Sequence, residues 1–171
     1  MVKHKTAKNI IPKEFINDIK SIIIDSRDNA VRNVNFARVM MYWRVGERIF
    51  IEEQQGKERA DYGAYLIKNL SKQILPEFGS GFSTRVLHQS VQFYRTYPIV
   101  NGLRSQLNWS QYRALIQISD ADKREFFELE SANNAWNSEE TLRQIHSGSL
   151  LLFKRVHFRF QFLVCHGFHG F

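Results

Sequence analysis

Cysteine and long apolar runs are nearly absent from this sequence, and each absence excludes a class of protein. The single cysteine, Cys165, rules out an intramolecular disulfide framework and suits a reducing cytoplasm. No uninterrupted apolar stretch approaches the roughly 20 residues of a membrane helix. The lysines near the amino terminus are not followed by the apolar segment of a secretion signal. We therefore expect a cytoplasmic protein with no membrane partner.

The remaining composition is that of a basic globular protein. Hydrophobic residues make up 43% and charged residues 24% of the 171 residues, which is enough for one domain with a buried core. Lysine and arginine number 24 against 17 aspartates and glutamates, a formal net charge of +7. Such an excess favours a polyanionic partner, either nucleic acid or an anionic membrane face.

Apolar residues at spacings of three and four predict the first three helices. One helix opens at Pro12 or Lys13, because proline is tolerated in the first helical turn. A second helical stretch covers residues 36–50, and the two can form one long, kinked helix. A third helix starts at Tyr62 and is ended by Pro76 and Gly79.

Capping and helix-breaking residues place four more helices. A glycine turn at residues 79–81 precedes Ser83, a good N-cap, and Pro98 closes the helix at residues 84–97. After a loop, three short helices are predicted at residues 110–118, 121–133 and 139–146, with Ser110, Asp120 and Ser138 as their caps.

Four segments of the chain resemble a known family in their sequence, order and spacing. They are YWRVGERI (42–49), YGAYLIKNLSKQILPEFGSGFS (62–83), QFYRTYP (92–98) and QLNWSQYRALIQI (106–118). They resemble the amino-terminal domain of the YhcG-like bacterial proteins, over about residues 15–148. The resemblance implies a role on DNA and an all-α, winged-helix or helix-turn-helix-like domain. In that family a nuclease domain of the PD-(D/E)XK type follows, and Mg²⁺ is implied only for that domain.

The helix at residues 84–97 has two chemically different faces when it is drawn at about 100° per residue. Guanidinium and amide groups lie on one face and suit phosphates and base edges, so this face indicates a DNA-recognition helix braced by the third helix. The alternative is an ordinary polar surface, which any surface helix has. The residues of the polar face are Arg85, His88, Gln89, Gln92 and Arg95.

Neighbouring residues can extend this predicted DNA-binding surface. Ser83 offers a phosphate contact with the first-turn N–H groups, or a plain helix cap. Lys68 and Lys72 on the third helix add positive charge unless they are ordinary solvated residues, and the same holds for Arg104 and Arg113. Six aromatic side chains can stack on unpaired bases or, as we favour, pack in the core: Trp43, Trp109, Trp136, Tyr42, Tyr62 and Tyr112.

No catalytic or metal site is predicted. Asp18-Ile19-Lys20 is the only (D/E)-x-K triplet, and it lies in a helical pattern, whereas a PD-(D/E)XK nuclease carries its metal ligands on strands. The acidic cluster from Asp120 to Glu128 is better explained by capping and the helix dipole. Cys165, His166 and His169 are a weak metal signal without a second cluster or an acidic partner.

The composition changes after Gly148. Residues 149–171 contain six of the fourteen phenylalanines and no aspartate or glutamate, and alternation around Phe158 and Phe160 is a strand pattern. We therefore divide the chain into a basic arm (1–12), the helical domain (13–148) and an aberrant tail (149–171), which we expect to be the product of a frameshift or truncation. A membrane-binding role for this tail is the evolved alternative.

The resulting hypothesis is a DNA-binding amino-terminal domain that does not cut DNA by itself. Two alternatives stay open. The helices before residue 56 can form a protein-interaction or oligomerisation module, including a homo-oligomer. An autonomous nuclease, in contrast, predicts magnesium-dependent cleavage by the purified chain.

Overall fold

The computed structural model describes residues 11–55 and 62–147, and all regular secondary structure in this part is helical. The predicted all-α class is therefore confirmed for the described residues. Six helices occur there: α1 (Lys13–Gln55), α2 (Tyr62–Phe78), α3 (Thr84–Thr96), α4 (Trp109–Leu115), α5 (Ala121–Asn133) and α6 (Ser138–His146). Two 3₁₀ turns, Ser80–Phe82 and Val100–Gly102, flank α3.

The first two predicted helices form one helix of 43 residues, α1. No glycine interrupts it before Gly46, and the only nearby proline, Pro12, precedes it, so nothing in the local sequence breaks the backbone hydrogen bonds. Residues 11–34 are all exposed. Burial begins further along, at Val39, Tyr42 and Trp43, where α1 joins the body of the protein.

The backbones of α1 and α3 approach each other very closely where the two helices cross, because Gly46 of α1 has no side chain. A Cβ atom built on Gly46 would lie 2.0 Å from the carbonyl oxygen of Ser90 and 2.5 Å from its carbonyl carbon. The two backbones therefore touch at this crossing, and Ser90 itself is fully buried.

The core is largely aromatic. Phe93 of α3 packs against the rings of Trp109 and Tyr112, with centroids 5.4 and 5.0 Å away, and Tyr42 stacks on Trp109 at 4.3 Å. The predicted core role of the aromatic side chains is thus confirmed for Tyr42, Trp43, Trp109 and Tyr112, and Trp136 is half-buried against the same cluster. A second cluster, Ile49, Ile67, Leu87 and Val91, joins α1, α2 and α3.

The prediction that Pro76 ends the third helix is wrong. Pro76 lies inside α2, which continues to Phe78. A proline near the carboxyl end removes one backbone donor but leaves the preceding turns intact. The helix stops at Gly79, whose φ of +80° is rarely adopted by other residues and whose N–H bonds to the oxygen of Leu75 at 2.9 Å.

Two of the predicted caps are displaced by one or two residues. α4 is capped by Asn108 and not by Ser110: its side chain accepts from Gln111 N, and the Gln111 side chain accepts from Asn108 N in return. α6 is capped by Asn137 and not by Ser138. The predicted cap Asp120 is confirmed, because its carboxylate accepts a hydrogen bond from Lys123 N at 3.0 Å.

The finer prediction of a winged helix needs a β-hairpin wing. Residues 11–55 and 62–147 contain no strand, so the described part supports a helical domain and no more specific class. The tail at residues 149–171 lies outside the described residues. Among the described helices, none combines the length and the apolar character needed to cross a membrane.

Candidate nucleic-acid interface

The predicted two-faced character of α3 is present in the structure. Leu87, Val91 and Phe93 point into the core and are 4% exposed or less. Four residues of the opposite face are exposed, namely Arg85, His88, Gln92 and Arg95, and Gln89 is half-buried. The apolar face thus orients the helix, and its polar face meets solvent.

An open groove of about 490 Å³ lies beside this face, between α3, α4 and α6. Arg85 and Gln89 form its wall on the α3 side. The other walls come from α4 with the segment that follows it and from α6. The residues of the α4 side are Ser110, Arg113, Ala114 and Gln117, and those of α6 are Ser138, Glu139, Leu142, Ile145 and His146. The groove carries two guanidinium groups and one carboxylate, so its lining is cationic on balance.

Two residues that line the groove each have one polar atom that is buried and has no hydrogen-bond partner in the described structure. These atoms are the Oε1 atom of Gln89, an acceptor, and the Nε atom of Arg113, a donor. A buried polar group left unpaired costs about 1–3 kcal/mol, and such groups are uncommon in folded proteins.

Gln92, in contrast, already has protein partners. Its Nε2 atom donates to the carbonyl oxygen of Ile116 at 2.7 Å, and its Oε1 atom accepts from Gln117 at 3.5 Å. The side chain therefore ties α3 to the carboxyl end of α4. To touch a base, Gln92 would first have to give up these bonds.

Arg95 is held by α1. It forms an ion pair with Glu53 at 2.9 Å, and its guanidinium lies over the ring of Phe50, 5.3 Å from the centroid. More than half of the Arg95 side chain is exposed, so solvent screens this pair. The carboxylate of Glu53 partly neutralises the positive charge of Arg95, and this ion pair distinguishes Arg95 from Arg85.

The other predicted contacts lie outside the groove. Lys68 and Lys72 are exposed on α2, and His88 is exposed on α3, but none of the three lines the groove. Ser83 occupies the N-cap position of α3, yet its side chain makes no cap hydrogen bond. The structure thus brings together Arg85 and Gln89 with Arg113, and leaves the lysines apart from them.

Arg104 has a structural role inside the body. Its Nε atom donates to the buried carboxylate of Glu128 at 3.0 Å, and the Tyr97 hydroxyl donates to the same carboxylate, also at 3.0 Å. Burial raises the pKa of Glu128, while the hydrogen bond from Tyr97 and the charge of Arg104 act in the opposite direction. Burial next to Glu128 also raises the pKa of Tyr97.

Sequence reasoning missed the contribution of α6 to this groove. Leu142 and His146 were predicted only as parts of a short helix, and Gln117 as part of a helix end. All three residues lie 25 or more positions after Gln92 in the chain, and none of them is on α3. No local sequence pattern connects them with α3. Only the packing of α4 against α3 and α6 places them together.

The predicted Asp18-Ile19-Lys20 triplet lies on an exposed turn of α1, as its helical pattern predicted. Within the part of the chain that the structure describes, no three His, Cys, Asp or Glu side chains are grouped closely enough to hold a metal ion. Cys165, His166 and His169 lie outside that part.

Comparison with known proteins places the chain in a family. The profile of the DUF1016 N-terminal domain matches residues 18–155. A curated relative, Putative nuclease YhcG of Escherichia coli (strain K12), is 30% identical over 165 residues, an alignment that covers 78% of this chain and 44% of the relative. The chain thus spans less than half the length of that relative. No solved structure matches this chain. Both similarities cover most of the chain, and the protein therefore belongs to the DUF1016 N-terminal domain family.

Proposed function

We propose that this chain is a DNA-binding domain of a nuclease-type protein of the cytoplasm. The observation that carries the proposal is the polar, exposed face of α3 beside a groove with two guanidinium groups, Arg85 and Arg113. Guanidinium groups bind phosphate with two parallel hydrogen bonds and keep their charge at all physiological pH values. The net charge of +7 and the similarity to a protein named as a nuclease agree with such a partner.

In this proposal α2, the 3₁₀ turn Ser80–Phe82 and α3 act as a helix-turn-helix-like unit. α3 is the element presented to DNA, and Arg85 and Arg113 neutralise phosphates on either side of the groove. Arg95, His88, Ser83, Lys68 and Lys72 are proposed as secondary contacts, because they are peripheral to the groove or engaged elsewhere.

The test is a fluorescence-anisotropy titration of a labelled DNA duplex at several salt concentrations between about 50 and 200 mM. We expect affinity to fall steeply with salt, and the Arg85→Gln and Arg113→Gln variants each to lower the salt slope by about one. Arg44→Gln is the matched control, since Arg44 is an exposed residue of α1 that does not line the groove. An affinity independent of salt, or an equal loss in the control, would contradict the proposal.

We further propose that the chain does not cleave DNA by itself. The (D/E)-x-K triplet lies on a helix, whereas metal-dependent nucleases of the PD-(D/E)XK type carry these ligands on adjacent strands. Incubation of the purified chain with plasmid DNA and Mg²⁺ should leave the plasmid intact. Magnesium-dependent nicking that follows the protein through purification would show the opposite.

A second function, self-association, is favoured by the amino-terminal half of α1. Residues 11–34 are exposed, and the face of α1 opposite Val39 and Trp43 carries Ile16, Ile19 and Ile23, which are 40–45% exposed. Isoleucine is a mediocre helix former, so an exposed isoleucine-rich helix gains most by burying this stripe against another one. We propose a second copy of the chain as that partner.

Light scattering tests this second function. The wild-type chain should have the mass of a dimer, and an Ile19→Glu, Ile23→Glu variant that of a monomer, because two charges would be buried in the pairing face. The Lys20→Glu variant changes a neighbouring exposed residue outside the stripe and should leave the mass unchanged. A monomeric wild-type chain would contradict self-association without affecting the proposal on DNA.

A further inference from the structure

The exposed half of α1 carries charges of opposite sign on the two sides of its isoleucine stripe. The stripe is centred on Ile19 and is at least 40% exposed at every member. Its other members lie three or four positions from Ile19 in the helix and are Phe15, Ile16, Ile22 and Ile23. Consecutive helical residues point about 100° apart, so the chain neighbours of Ile19 flank the stripe on opposite sides. Asp18 lies on one side and Lys20 on the other.

The same arrangement repeats one heptad later. Ser26 lies seven positions after Ile19 and therefore close to the same line along the helix. Asp25 precedes Ser26, and Arg27 follows it. The stripe thus has an acidic flank and a basic flank. The acidic flank consists of Asp18 and Asp25, and the basic flank consists of Lys20 and Arg27.

The four flank residues have no opposite charge to pair with on α1 itself. Side chains of one helix meet at spacings of three and four positions, and no flank residue has an opposite charge at these spacings. All four are exposed, and within the described ranges none of them forms an ion pair. The two flanks therefore present unneutralised charge to whatever covers the stripe.

These charges distinguish the two orientations in which a second copy can lie along the stripe. In a parallel, in-register pair, the two-fold axis runs along the helices and brings the acidic flank of each copy next to the basic flank of the other. In an antiparallel pair each flank meets the same flank of the partner, so like charges adjoin. The body of the protein packs on the face of α1 opposite the stripe, at Val39 and Trp43, and leaves the stripe open in both orientations. Charge therefore selects the parallel pair.

We propose that two copies of the chain pair in parallel and in register along residues 15–27 of α1, with the acidic flank of each facing the basic flank of the other. This inference rests on the proposed self-association and adds to it the orientation and the residues that select it. It gives the Asp18-Ile19-Lys20 triplet a role in pairing. A parallel pair places both helical bodies at the same end of the dimer, whereas an antiparallel pair would hold them at opposite ends.

Disulfide cross-linking of single-cysteine variants tests the orientation. In the full chain with Cys165→Ser, which removes the one native cysteine, Ile16→Cys and Ser26→Cys each place a thiol on the stripe, about 15 Å apart along the helix. In a parallel pair each position meets its own copy, so we expect each variant alone to form a cross-linked dimer in glutathione buffer. In an antiparallel pair at most one of the two positions lies at the symmetry axis, so at most one variant cross-links alone.

Ile24→Cys is the matched control for the cross-linking. Ile24 is 56% exposed, but it lies about 140° from Ile19 around α1, beyond the basic flank. Its thiol should therefore stay reduced under the conditions that cross-link Ile16→Cys and Ser26→Cys.

Reversal of one flank charge tests the reason for the orientation. Arg27→Asp makes both flanks acidic at this level, so the dissociation constant of the dimer, measured by sedimentation equilibrium, should rise about tenfold at roughly 50 mM salt. The difference should vanish at about 1 M salt, where exposed charges are screened. Exposed ion pairs contribute little each, so a single flank substitution leaves the chain dimeric well above its dissociation constant. Arg32→Asp is the matched control, because it makes the same charge change on the side of α1 away from the stripe.

The other results separate this inference from the self-association on which it rests. Cross-linking in only one of the two variants, or only in their mixture, identifies an antiparallel or shifted pair and overturns the inference while self-association stands. A dimer that Arg27→Asp leaves unchanged or tightens also overturns it. A monomeric wild-type chain, or a dimer that cross-links at neither position, removes both the inference and self-association through α1.

Discussion

Single residues decide how closely the helices of this protein approach, and Gly46 is the clearest case. A Cβ atom at this position would lie 2.0 Å from a backbone oxygen of α3, and backbone cannot move aside as the end of a flexible side chain can. We predict that Gly46→Ala lowers the free energy of unfolding by about 3 kcal/mol, the upper range for overpacked sites. Urea denaturation measures this loss.

The control for Gly46 is Gly102. A Cβ atom at Gly102 would have no heavy atom within 4 Å. Gly102→Ala should therefore change the free energy of unfolding by less than about 0.5 kcal/mol, as for most surface substitutions. Similar losses in the two variants would mean that α1 and α3 are free to separate.

Glu128 gives the protein a predictable pH dependence. Because burial raises its pKa in the folded state, the unfolded chain releases this proton at lower pH than the folded chain does. The contribution of Glu128 to stability is therefore full below the ordinary glutamate pKa and is lost as the pH rises through the raised, folded-state value. Glu128→Gln removes this dependence, so the variant should gain stability relative to the wild type as the pH rises from about 4 to about 7.

Urea denaturation at several pH values checks the Glu128 prediction. Asp122→Asn removes an exposed carboxylate from the same helix and serves as the matched control. A difference between Glu128→Gln and wild type that is constant with pH, or that follows the control, would contradict it.

At the scale of the helical element, side-chain caps determine where the helices begin. Asn108 accepts hydrogen bonds from Gln111 N at 3.1 Å and from the Ser138 hydroxyl at 3.1 Å, so it both starts α4 and ties it to α6. We predict that Asn108→Ala costs 1–2 kcal/mol of stability, roughly the value of a lost cap. Thermal or urea unfolding of the variant measures it.

Ser83 is the natural comparison for Asn108. It occupies the N-cap position of α3, but its side chain makes no cap hydrogen bond, so Ser83→Ala should cost less than about 0.5 kcal/mol. A loss in Ser83→Ala that equals the loss in Asn108→Ala would show that cap position, and not the hydrogen bond, determines stability.

At the scale of the whole molecule, the amino-terminal half of α1 lies outside the buried core of the helical body. Residues 11–34 are exposed, and the core begins near Phe36 and Val39. We predict that a chain starting at Val34 keeps its near-UV circular dichroism and its cooperative unfolding. A chain starting at Arg44 lacks Val39, Tyr42 and Trp43 and should lose both. If the shorter deletion already unfolds the body, the exposed half of α1 contributes to folding in a way that its burial does not indicate.

Much of the secondary structure was predictable because its signals are local. α5 begins after Asp120 as predicted, since the cap and the first helical turn are adjacent in the chain. α3 stops at Thr96, just before Pro98, because proline restricts the residue before it. Local signals fail where two capping residues are neighbours, as with Asn108 and Ser110, because only the packed structure selects between them.

The amino-acid sequence alone determined the helical class, the amphipathic faces and the family. The reason is that apolar periodicity, helix-capping residues and sequence similarity are all properties of the order of residues in the chain. The tertiary structure alone decided that Gln92 is engaged by Ile116 and that Arg104 pairs with Glu128, whereas Gln89 and Arg113 keep buried atoms without partners among the described residues. The physical reason is that hydrogen-bond pairing depends on distances between helices. Residues 24 positions apart come into contact only when the core has packed.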